Sequence, residues 1–554
     1  MHSIKKIIAS LSKKERLLII VLIIVFALSL VSFIAININE QSTFMPVQGG
    51  HFIEGFIGQP IAINPIISNN QIDLDISALI YSRLFDLLAQ NEITDDGRSH
   101  IFKLKNDLVW DNGEPLTSDD VIFTIKTIQD PTSHSPLAKN WEGVVLERLS
   151  ELQIKMTLAA PYTFLMEGVK RLPILPKHIF GNIPPANLRL SAFNLEPIGS
   201  GPYRFKKFSK RRDGFITNYH LVVNEKYFGE KPYINDFYFN FYENINDLTN
   251  AFRLRQVNGF GSLLPPKEEI KQITQVKLEK ITMPKYYALF FNSLSNRYLK
   301  SENLRLALTS AINRNEIIKE FLNGDALIIN SPFLEYFKKP WADIVNGPET
   351  EKEISEWQEK IKYNPEKAKE YFENWQKQNK KAELTLNVFV PKIDFLEKIA
   401  NSIAQSWQTI GIEKITINVI ETENILDDVI KTRNYDILLF GNVLENPEDF
   451  FPFWHSSQRF YPGLNLSLYQ NQKADKIIEN IRQKELTEYE RYIELKKLEN
   501  LILEENPAVF LFSMPYFYIH TDRLEGFTSD LLITPADRFR NINKWNVARV
   551  RVIK

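Results

Sequence analysis

The segment WDNGEPLTSDDVIFT, residues 110–124, constrains the local structure of this chain more tightly than any other stretch. Its Asp-Asn-Gly triplet favours a tight turn, because Asn and Gly tolerate positive φ. Pro115 keeps the residue before it out of the helical region. Thr117 and Asp120 have capping-box spacing, and carboxylates at a helix N-terminus are favoured by the helix dipole. The segment therefore predicts a turn followed by a helix over residues 117–129.

Four more segments follow this one in the chain. They are PILPKH (173–178), PIGSGPY (197–203), the stretch 290–314 that begins FFN and ends INR, and YNPEKA (363–368). In this order the five segments resemble the hallmark stretches of the oligopeptide-, dipeptide- and nickel-type solute-binding proteins of ABC importers, the bacterial extracellular family 5. The resemblance extends over roughly residues 52 to 530.

The resemblance implies an α/β fold of the two-lobed periplasmic-binding-protein type (type II, cluster C) with an extra small inserted domain. On that pattern, lobe one comprises 51–90, 196–288 and 516–554, the inserted domain 91–195, and lobe two 289–515. In such proteins the ligand lies in the crevice between the lobes, which close by hinge motion.

Periodicity in the residues themselves also indicates mixed α/β structure. Residues 384–388 and 415–420 alternate as strands, and they flank a helical pattern at 394–410 that ends before Gly411. This arrangement predicts a β-α-β unit with a parallel strand pair. Residues 203–208 and 215–223 alternate on either side of a basic turn and predict a hairpin.

The N-terminal region contains a stretch that is long enough to cross a bilayer. Residues 17–36 carry no charge, Pro or Gly, and as a helix they span about 30 Å. Basic residues in 1–16 predict a cytoplasmic N-terminus and an extracytoplasmic remainder on a single-pass anchor in the cell membrane. A cleavable signal peptide is the alternative, but its apolar region is shorter, and bulky residues occupy the candidate cleavage sites. Residues 37–50 would be a polar linker.

The charge and the absence of cysteine exclude several classes of function. There are 67 basic and 68 acidic side chains, so no bulk positive field would attract nucleic acid. With no cysteine, the chain has no disulfide, thiolate metal site or lipidated cysteine. We expect no cofactor and no metal.

Nothing in the sequence favours catalysis. The eight histidines form no metal-binding motif, and there is no G-x-S-x-G, P-loop or dinucleotide fingerprint. The Gly199-Ser200-Gly201 stretch is better explained as a turn entering a strand. A carboxylate pair among Glu445, Glu448 and Asp449 is better explained as a helix N-terminus after Pro447. A hydrolase therefore ranks last among the functions considered.

The resemblance also implies where a ligand would bind. Peptide receptors of the family hold the ligand's amino group with an Asp after the Tyr-Asp strand, and this position corresponds to Val443. Glu445, two residues further on, would face the same side if the strand continued. The expected ligand-contacting residues are Ser68, Asn69, Phe440, Asn442, Glu445, Phe512 and Tyr516.

The sequence thus predicts a monomeric, membrane-anchored receptor that captures a peptide or similar small solute and delivers it to an ABC permease with its ATPase. The alternative is a surface sensor or chaperone-like binding protein that keeps the same fold without transport. The absence of the amino-group anchor leaves this alternative open.

Overall fold

The computed structural model of the chain describes residues 12–40, 42–94, 97–334, 357, 359–380 and 382–553. Within these residues the chain forms sheets of seven, six, four and two strands. In chain order the strands are β1 (Ser42–Pro46), β2 (His51–Ile57), β3 (Leu88–Ile93), β4 (Ser99–Leu104), β5 (Val145–Arg148), β6 (Gln153–Thr157), β7 (Tyr203–Lys210), β8 (Ile216–Val223), β9 (Asp236–Tyr242), β10 (Gly259–Ser262), β11 (Val276–Ile281), β12 (Lys285–Phe291), β13 (Leu327–Ile328), β14 (Thr385–Pro391), β15 (Lys414–Ile420), β16 (Ile437–Val443), β17 (Ala508–Ser513), β18 (Tyr516–Thr521) and β19 (Arg549–Ile553).

Helices connect and cover these strands. The α-helices of the described chain are α1 (Lys13–Glu40), α2 (Gln71–Ile80), α3 (Leu84–Leu87), α4 (Ser118–Gln129), α5 (Ala138–Trp141), α6 (Leu165–Val169), α7 (Lys177–Phe180), α8 (Ile245–Arg253), α9 (Glu268–Lys271), α10 (Glu302–Ser310), α11 (Arg314–Phe321), α12 (Pro365–Gln378), α13 (Asp394–Thr409), α14 (Phe451–Trp454), α15 (Gln472–Gln483) and α16 (Glu488–Glu505).

The seven-stranded sheet has the order β11-β18-β10-β2-β9-β8-β7 and forms the centre of one lobe. Strand β9 alternates strictly, so that Phe237, Phe239 and Phe241 face a core that also contains Phe52 and Trp545. The opposite face of the sheet packs against α8. The predicted hairpin at 203–223 is present as β7 and β8.

The six-stranded sheet has the order β13-β17-β12-β16-β14-β15 and forms the second lobe. Strands β14 and β15 are parallel, and α13 connects them, which confirms the predicted β-α-β unit. Gly411 follows α13 with a φ of 103°, a left-handed conformation that glycine adopts without strain. Separate hydrophobic clusters cover the two faces of this sheet.

The four-stranded sheet, β3-β4-β6-β5, is antiparallel and carries α4. The predicted capping box is present, because the Thr117 backbone N–H donates to Asp120 Oδ2 at 2.8 Å and Thr117 Oγ1 accepts from the first turn of α4. Phe102 and Trp110 belong to the same buried cluster as Phe52 of the seven-stranded sheet. This small domain therefore shares its core with the first lobe.

The positions of the strands can be compared with the domain ranges that the resemblance implies. The strands of the seven-stranded sheet lie within the three segments assigned to lobe one, and the antiparallel sheet starts near the beginning of 91–195. Strand β12 begins at Lys285, before the expected boundary at 288/289, because Lys285 already pairs with Val443 of the second lobe.

The N-terminal region differs from the expected linker. Helix α1 continues to Glu40, and its stretch Lys13–Ile34 is long and apolar enough to cross a membrane, with a mean hydropathy of 3.3 and no part of it buried. Residues 42–46 are not a free tether, because β1 pairs along its whole length with β19. Strand pairing with the far end of the chain explains why composition alone failed to identify this element.

Candidate functional site

The chain crosses between the two large sheets at the same kind of edge in each sheet. In the first lobe β2, β9 and β10 are parallel, so that their carboxyl ends share one edge, where β11 also ends and β18 begins. In the second lobe the carboxyl ends of β14, β15 and β16 share an edge with the start of β12 and the end of β17. Ligands of open α/β sheets bind outside such carboxyl ends.

Two short segments join these edges. The chain passes from β11 to β12 through residues 282–284 and returns from β17 to β18 through residues 514–515. The first crossing is held at both ends, since Leu532 N–H donates to Thr282 O at 2.9 Å and Leu444 N–H donates to Pro284 O at 2.7 Å. Paired short crossings of this kind are where hinge motion between lobes is absorbed.

Apolar side chains are exposed to solvent along these two sheet edges. Ile57 ends β2 with 46% exposure, Leu263 and Leu264 follow β10 with 45% and 43%, and Val443 ends β16 with 36%. Ligand clefts are lined mostly by apolar groups with a few polar ones. The space between the edges is therefore the candidate binding cleft.

Ser68 and Asn69 lie in the loop between β2 and α2. Ser68 is buried, and its hydroxyl donates to Asp73 Oδ2 at 3.1 Å, while Asn70 N–H donates to Ser68 Oγ at 3.2 Å. Asp73 also accepts from the backbone of Ile61 and Ala62. The Ser68 side chain is thus committed to shaping the loop, whereas Asn69 is exposed.

Phe440 and Asn442 lie on β16, on the face opposite Val443. Asn442 is buried, and its amide donates to the Tyr286 hydroxyl at 3.1 Å. Phe440 is half-buried and packs against the cluster that covers this face. Both therefore support the strand from behind.

Glu445 lies beyond the end of β16, so the strand alternation that placed it beside Val443 does not extend to it. Its carboxylate accepts from the Asn140 amide at 3.3 Å, and its carbonyl accepts from Arg171. Both partners belong to the small antiparallel domain. Glu445 is therefore placed at a contact between that domain and the second lobe.

Phe512 and Tyr516 flank the second crossing. The ring of Phe512 packs against that of Tyr287 in a tilted arrangement with centroids 5.1 Å apart, and both are buried in the second lobe. Tyr516 is buried in the first lobe, where its ring lies 5.8 Å from the Arg538 guanidinium carbon. The two side chains support the ends of the crossing.

Lys285 is a residue that sequence reasoning missed. It stands directly opposite Val443 on the neighbouring strand, so both side chains lie on the same face. Its ammonium lies 4.7 Å from the Tyr287 ring centroid, a cation–π contact. The position to which the resemblance assigns an acid thus carries valine with a cation beside it.

A second missed feature is a contact that closes the small domain against the second lobe. The Tyr162 hydroxyl donates to Asp449 Oδ2 at 3.0 Å, and Arg482 forms an ion pair with Asp449 at 3.3 Å while its guanidinium lies 4.8 Å from the Tyr162 ring centroid. Thr163 N–H donates to the Arg482 carbonyl at 2.9 Å. Burial raises the pKa of the Asp449 carboxyl, and Arg482 opposes this increase. We call Tyr162, Asp449 and Arg482 the latch.

A fully buried ionic cluster lies inside the first lobe. Arg538 contacts Asp75 at 2.7 Å and Glu54 at 2.9 Å, and the Tyr518 hydroxyl donates to Glu54 at 2.8 Å. Burial raises the pKa of both carboxyls, while Arg538 favours their charged forms. The cluster ties α2, which follows the Ser68 loop, to β2 and to the C-terminal region of the chain.

The Gly199-Ser200-Gly201 turn and His178 have structural explanations. No group of three metal-ligating side chains occurs within the described part of the chain. A Cβ at Gly199 would lie 2.0 Å from the Ile80 carbonyl oxygen, so this glycine is required for close packing against the end of α2. The ring of His178 lies at hydrogen-bond distance from Asn112, 2.9 Å.

Comparison with known proteins shows which family this chain matches. The family description "Bacterial extracellular solute-binding proteins, family 5 Middle" matches residues 84–461. The oligopeptide-binding protein AppA of Bacillus subtilis is 26% identical over 547 residues, covering 92% of this chain and 94% of AppA.

Solved structures share the fold. The structure of B. subtilis AppA in complex with a nonapeptide has a TM-score of 0.70 at 23% identity and covers 91% of this chain and all of that one. The ABC transporter substrate-binding protein CtaP of Listeria monocytogenes has a TM-score of 0.75 at 24% identity, with 90% and 100% covered. NikZ of Campylobacter jejuni, in complex with Ni(L-His), has a TM-score of 0.67 at 21% identity, with 90% and 99% covered.

Proposed function

Because this chain belongs to the bacterial extracellular solute-binding proteins of family 5, we propose that it is the membrane-anchored receptor of an ABC importer. It captures a peptide or similar small solute in the cleft between its lobes and delivers it to a permease that works with an ATPase. It acts as a monomer, without a cofactor and without catalysis.

The observation that carries this proposal is the pair of sheet edges at the two crossings, which carry the exposed side chains of Ile57, Leu263, Leu264 and Val443. Two crossings of two and three residues join the edges and permit hinge closure. The latch supports closure as well, since it connects the small domain to the second lobe across the molecule.

The ligand class follows from what lines the cleft. A carboxylate that holds an ammonium group forms one of the stronger single contacts in proteins. Val443 cannot form it, and the neighbouring Lys285 would repel an ammonium group. We therefore propose that the ligand is held chiefly by backbone pairing and apolar contacts, and that a free amino terminus is not required.

Anchoring rests on α1. Its Lys13–Ile34 stretch is exposed along its whole length, and water contact with its sixteen apolar side chains is unfavourable. We propose that this helix remains in the cell membrane and that the rest of the chain is extracytoplasmic.

The test is identification of the molecule that the protein carries. Full-length protein is purified in detergent, native mass spectrometry measures any bound mass, and the released molecule is sequenced or identified. Val443→Trp should fill the cleft and abolish retention, whereas Val145→Trp, at an exposed strand position, should not. Absence of any bound mass, together with no thermal stabilisation by peptide pools or nickel chelates, contradicts the proposal. Retention of an essential surface role after deletion of the permease genes would favour the sensor alternative.

A further inference from the structure

A small two-stranded ribbon, β1 and β19, lies between α1 and the body of the protein. Helix α1 ends at Glu40, and β1 begins at Ser42. The ribbon is antiparallel and pairs five residues on each side, from Ser42 with Ile553 to Pro46 with Arg549. The anchor helix thus leads almost directly into a strand that is paired with the C-terminal region.

The two faces of the ribbon have different chemistry. Met45, Val550 and Val552 share one face with Thr43, and they are 52%, 46% and 38% exposed. The other face carries Phe44, together with Arg549 and Arg551. Strand alternation therefore gives an apolar face and a basic, aromatic face.

The basic face is organised around one ring. The guanidinium carbons of Arg549 and Arg551 lie 5.3 and 5.9 Å from the centroid of Phe44, which is 62% exposed. Arg551 also donates to the Ser42 hydroxyl at 2.6 Å, and Arg549 forms an ion pair with Glu525 at 2.5 Å. Aromatic and cationic side chains of this kind are enriched where proteins meet lipid head groups.

The ribbon is joined firmly to the first lobe. Val47 N–H donates to Ala548 O at 3.1 Å, which continues the pairing beyond Pro46 and Arg549, and Gly49 N–H then donates to Tyr233 O of the first lobe at 2.7 Å. Its own sheet, however, contains only β1 and β19 among the described residues. A two-stranded ribbon exposed to water on both faces is marginally stable. A surface that covers it would therefore stabilise it.

We propose that the ribbon lies on the lipid surface beside the exit of α1 from the bilayer. This inference rests on the proposed membrane anchoring. The short connection to α1 leaves the ribbon within the head-group layer. The face with Met45, Val550 and Val552 is turned towards the acyl chains, and the opposite face, with Arg549 and Arg551, lies at the level of the lipid phosphates. The ribbon thereby holds the first lobe at the membrane.

The experiment exploits the absence of cysteine from the chain. Single-cysteine variants Met45→Cys and Val552→Cys are labelled with an environment-sensitive fluorophore and reconstituted as full-length protein in vesicles of equal phosphatidylglycerol and phosphatidylcholine. Leu327→Cys, in the second lobe and 71% exposed, is the matched control. We expect blue-shifted emission and quenching by head-group-proximal spin-labelled lipid at positions 45 and 552, and neither at 327.

Charge is tested separately. Arg549→Gln and Arg551→Gln should each lower the ratio of lipid-bound to free ribbon about fivefold on anionic vesicles. This factor corresponds to the roughly 1 kcal/mol expected for one cation near such a surface. Phosphatidylcholine vesicles should show little of this dependence.

Emission at 45 and 552 equal to that at 327, with the chain still retained in vesicles, overturns the ribbon proposal and leaves the anchor intact. A chain that does not stay with vesicles overturns both. A shift that requires co-reconstituted permease replaces the lipid with a protein partner and also overturns the proposal.

Discussion

Removing one hydroxyl from the latch should open the receptor. Tyr162→Phe deletes the hydrogen bond to Asp449 but keeps the aromatic ring beside Arg482. This bond joins the small domain to the second lobe, so we expect it to form only when the lobes are closed. Asp449 is buried and keeps its ion pair with Arg482, so the variant should fold normally.

The size of the effect follows from the type of bond. A hydrogen bond to a charged group contributes about 1.5–3 kcal/mol. Lost from the closed state alone, that free energy lowers the ratio of closed to open molecules about 10- to 150-fold. A ligand that binds the closed state then shows an increased Kd, by at most the same factor.

Two measurements check this prediction. Calorimetry with the co-purified ligand measures Kd, and small-angle X-ray scattering measures the radius of gyration without ligand. Tyr489→Phe, at a position 52% exposed, is the control. An unchanged Kd and an unchanged radius of gyration in Tyr162→Phe would refute the reasoning that the latch stabilises closure.

Three further predictions concern stability and specificity. Arg538→Met leaves two buried carboxylates without their cation and should lower the free energy of unfolding, measured in urea, by about 3–5 kcal/mol. Arg540→Met, at an exposed position, should leave that free energy unchanged. Equal effects of the two variants would contradict a stabilising role of the buried cluster. Burial lowers the pKa of His100 below its ordinary 6.5, so its contribution to stability is complete above 6.5 and is lost as pH falls towards the folded-state pKa. His100→Phe should therefore reduce the decrease in urea midpoint between about pH 7 and pH 5; an unchanged decrease would contradict it. Val443→Asp should improve binding of peptides with a free amino terminus over acetylated ones, and Val145→Asp should not; no change in that preference in calorimetry would argue against a ligand terminus near position 443.

Local signals in the sequence were sufficient for several elements. The turn, N-cap and start of α4 depend on residues within about one helical turn, so the capping box at Thr117 and Asp120 was predictable. The β14-α13-β15 unit followed from periodicity and a C-terminal glycine. Such features are determined by neighbours along the chain.

Contacts between distant segments could not be predicted in this way. The latch bond joins residues 287 positions apart, and β1 pairs with a strand more than 500 residues away. Neither STFMP nor RVRVI is long enough to identify its partner. The strand continuation assumed for Glu445 could not be checked from the sequence either, since the position at which β16 ends depends on pairing with β12.

The same limit applies to the candidate site. Resemblance suggested the loop at Ser68 and the end of β16 as ligand contacts, but it could not show that the Ser68 hydroxyl donates to Asp73 or that Lys285 lies opposite Val443. Both facts depend on how strands and loops meet in three dimensions.

The most direct test of lobe closure around a solute is a measurement of the distance between the lobes. Spin labels at Leu254→Cys in the first lobe and Leu426→Cys in the second, both exposed, report that distance in full-length protein by pulsed electron paramagnetic resonance. We expect a broad distribution of distances in protein stripped of ligand. When the identified solute is added, the mean distance should become shorter and the distribution narrower, and the solute should be recovered chemically unchanged. One distance, the same with and without bound solute, would contradict it.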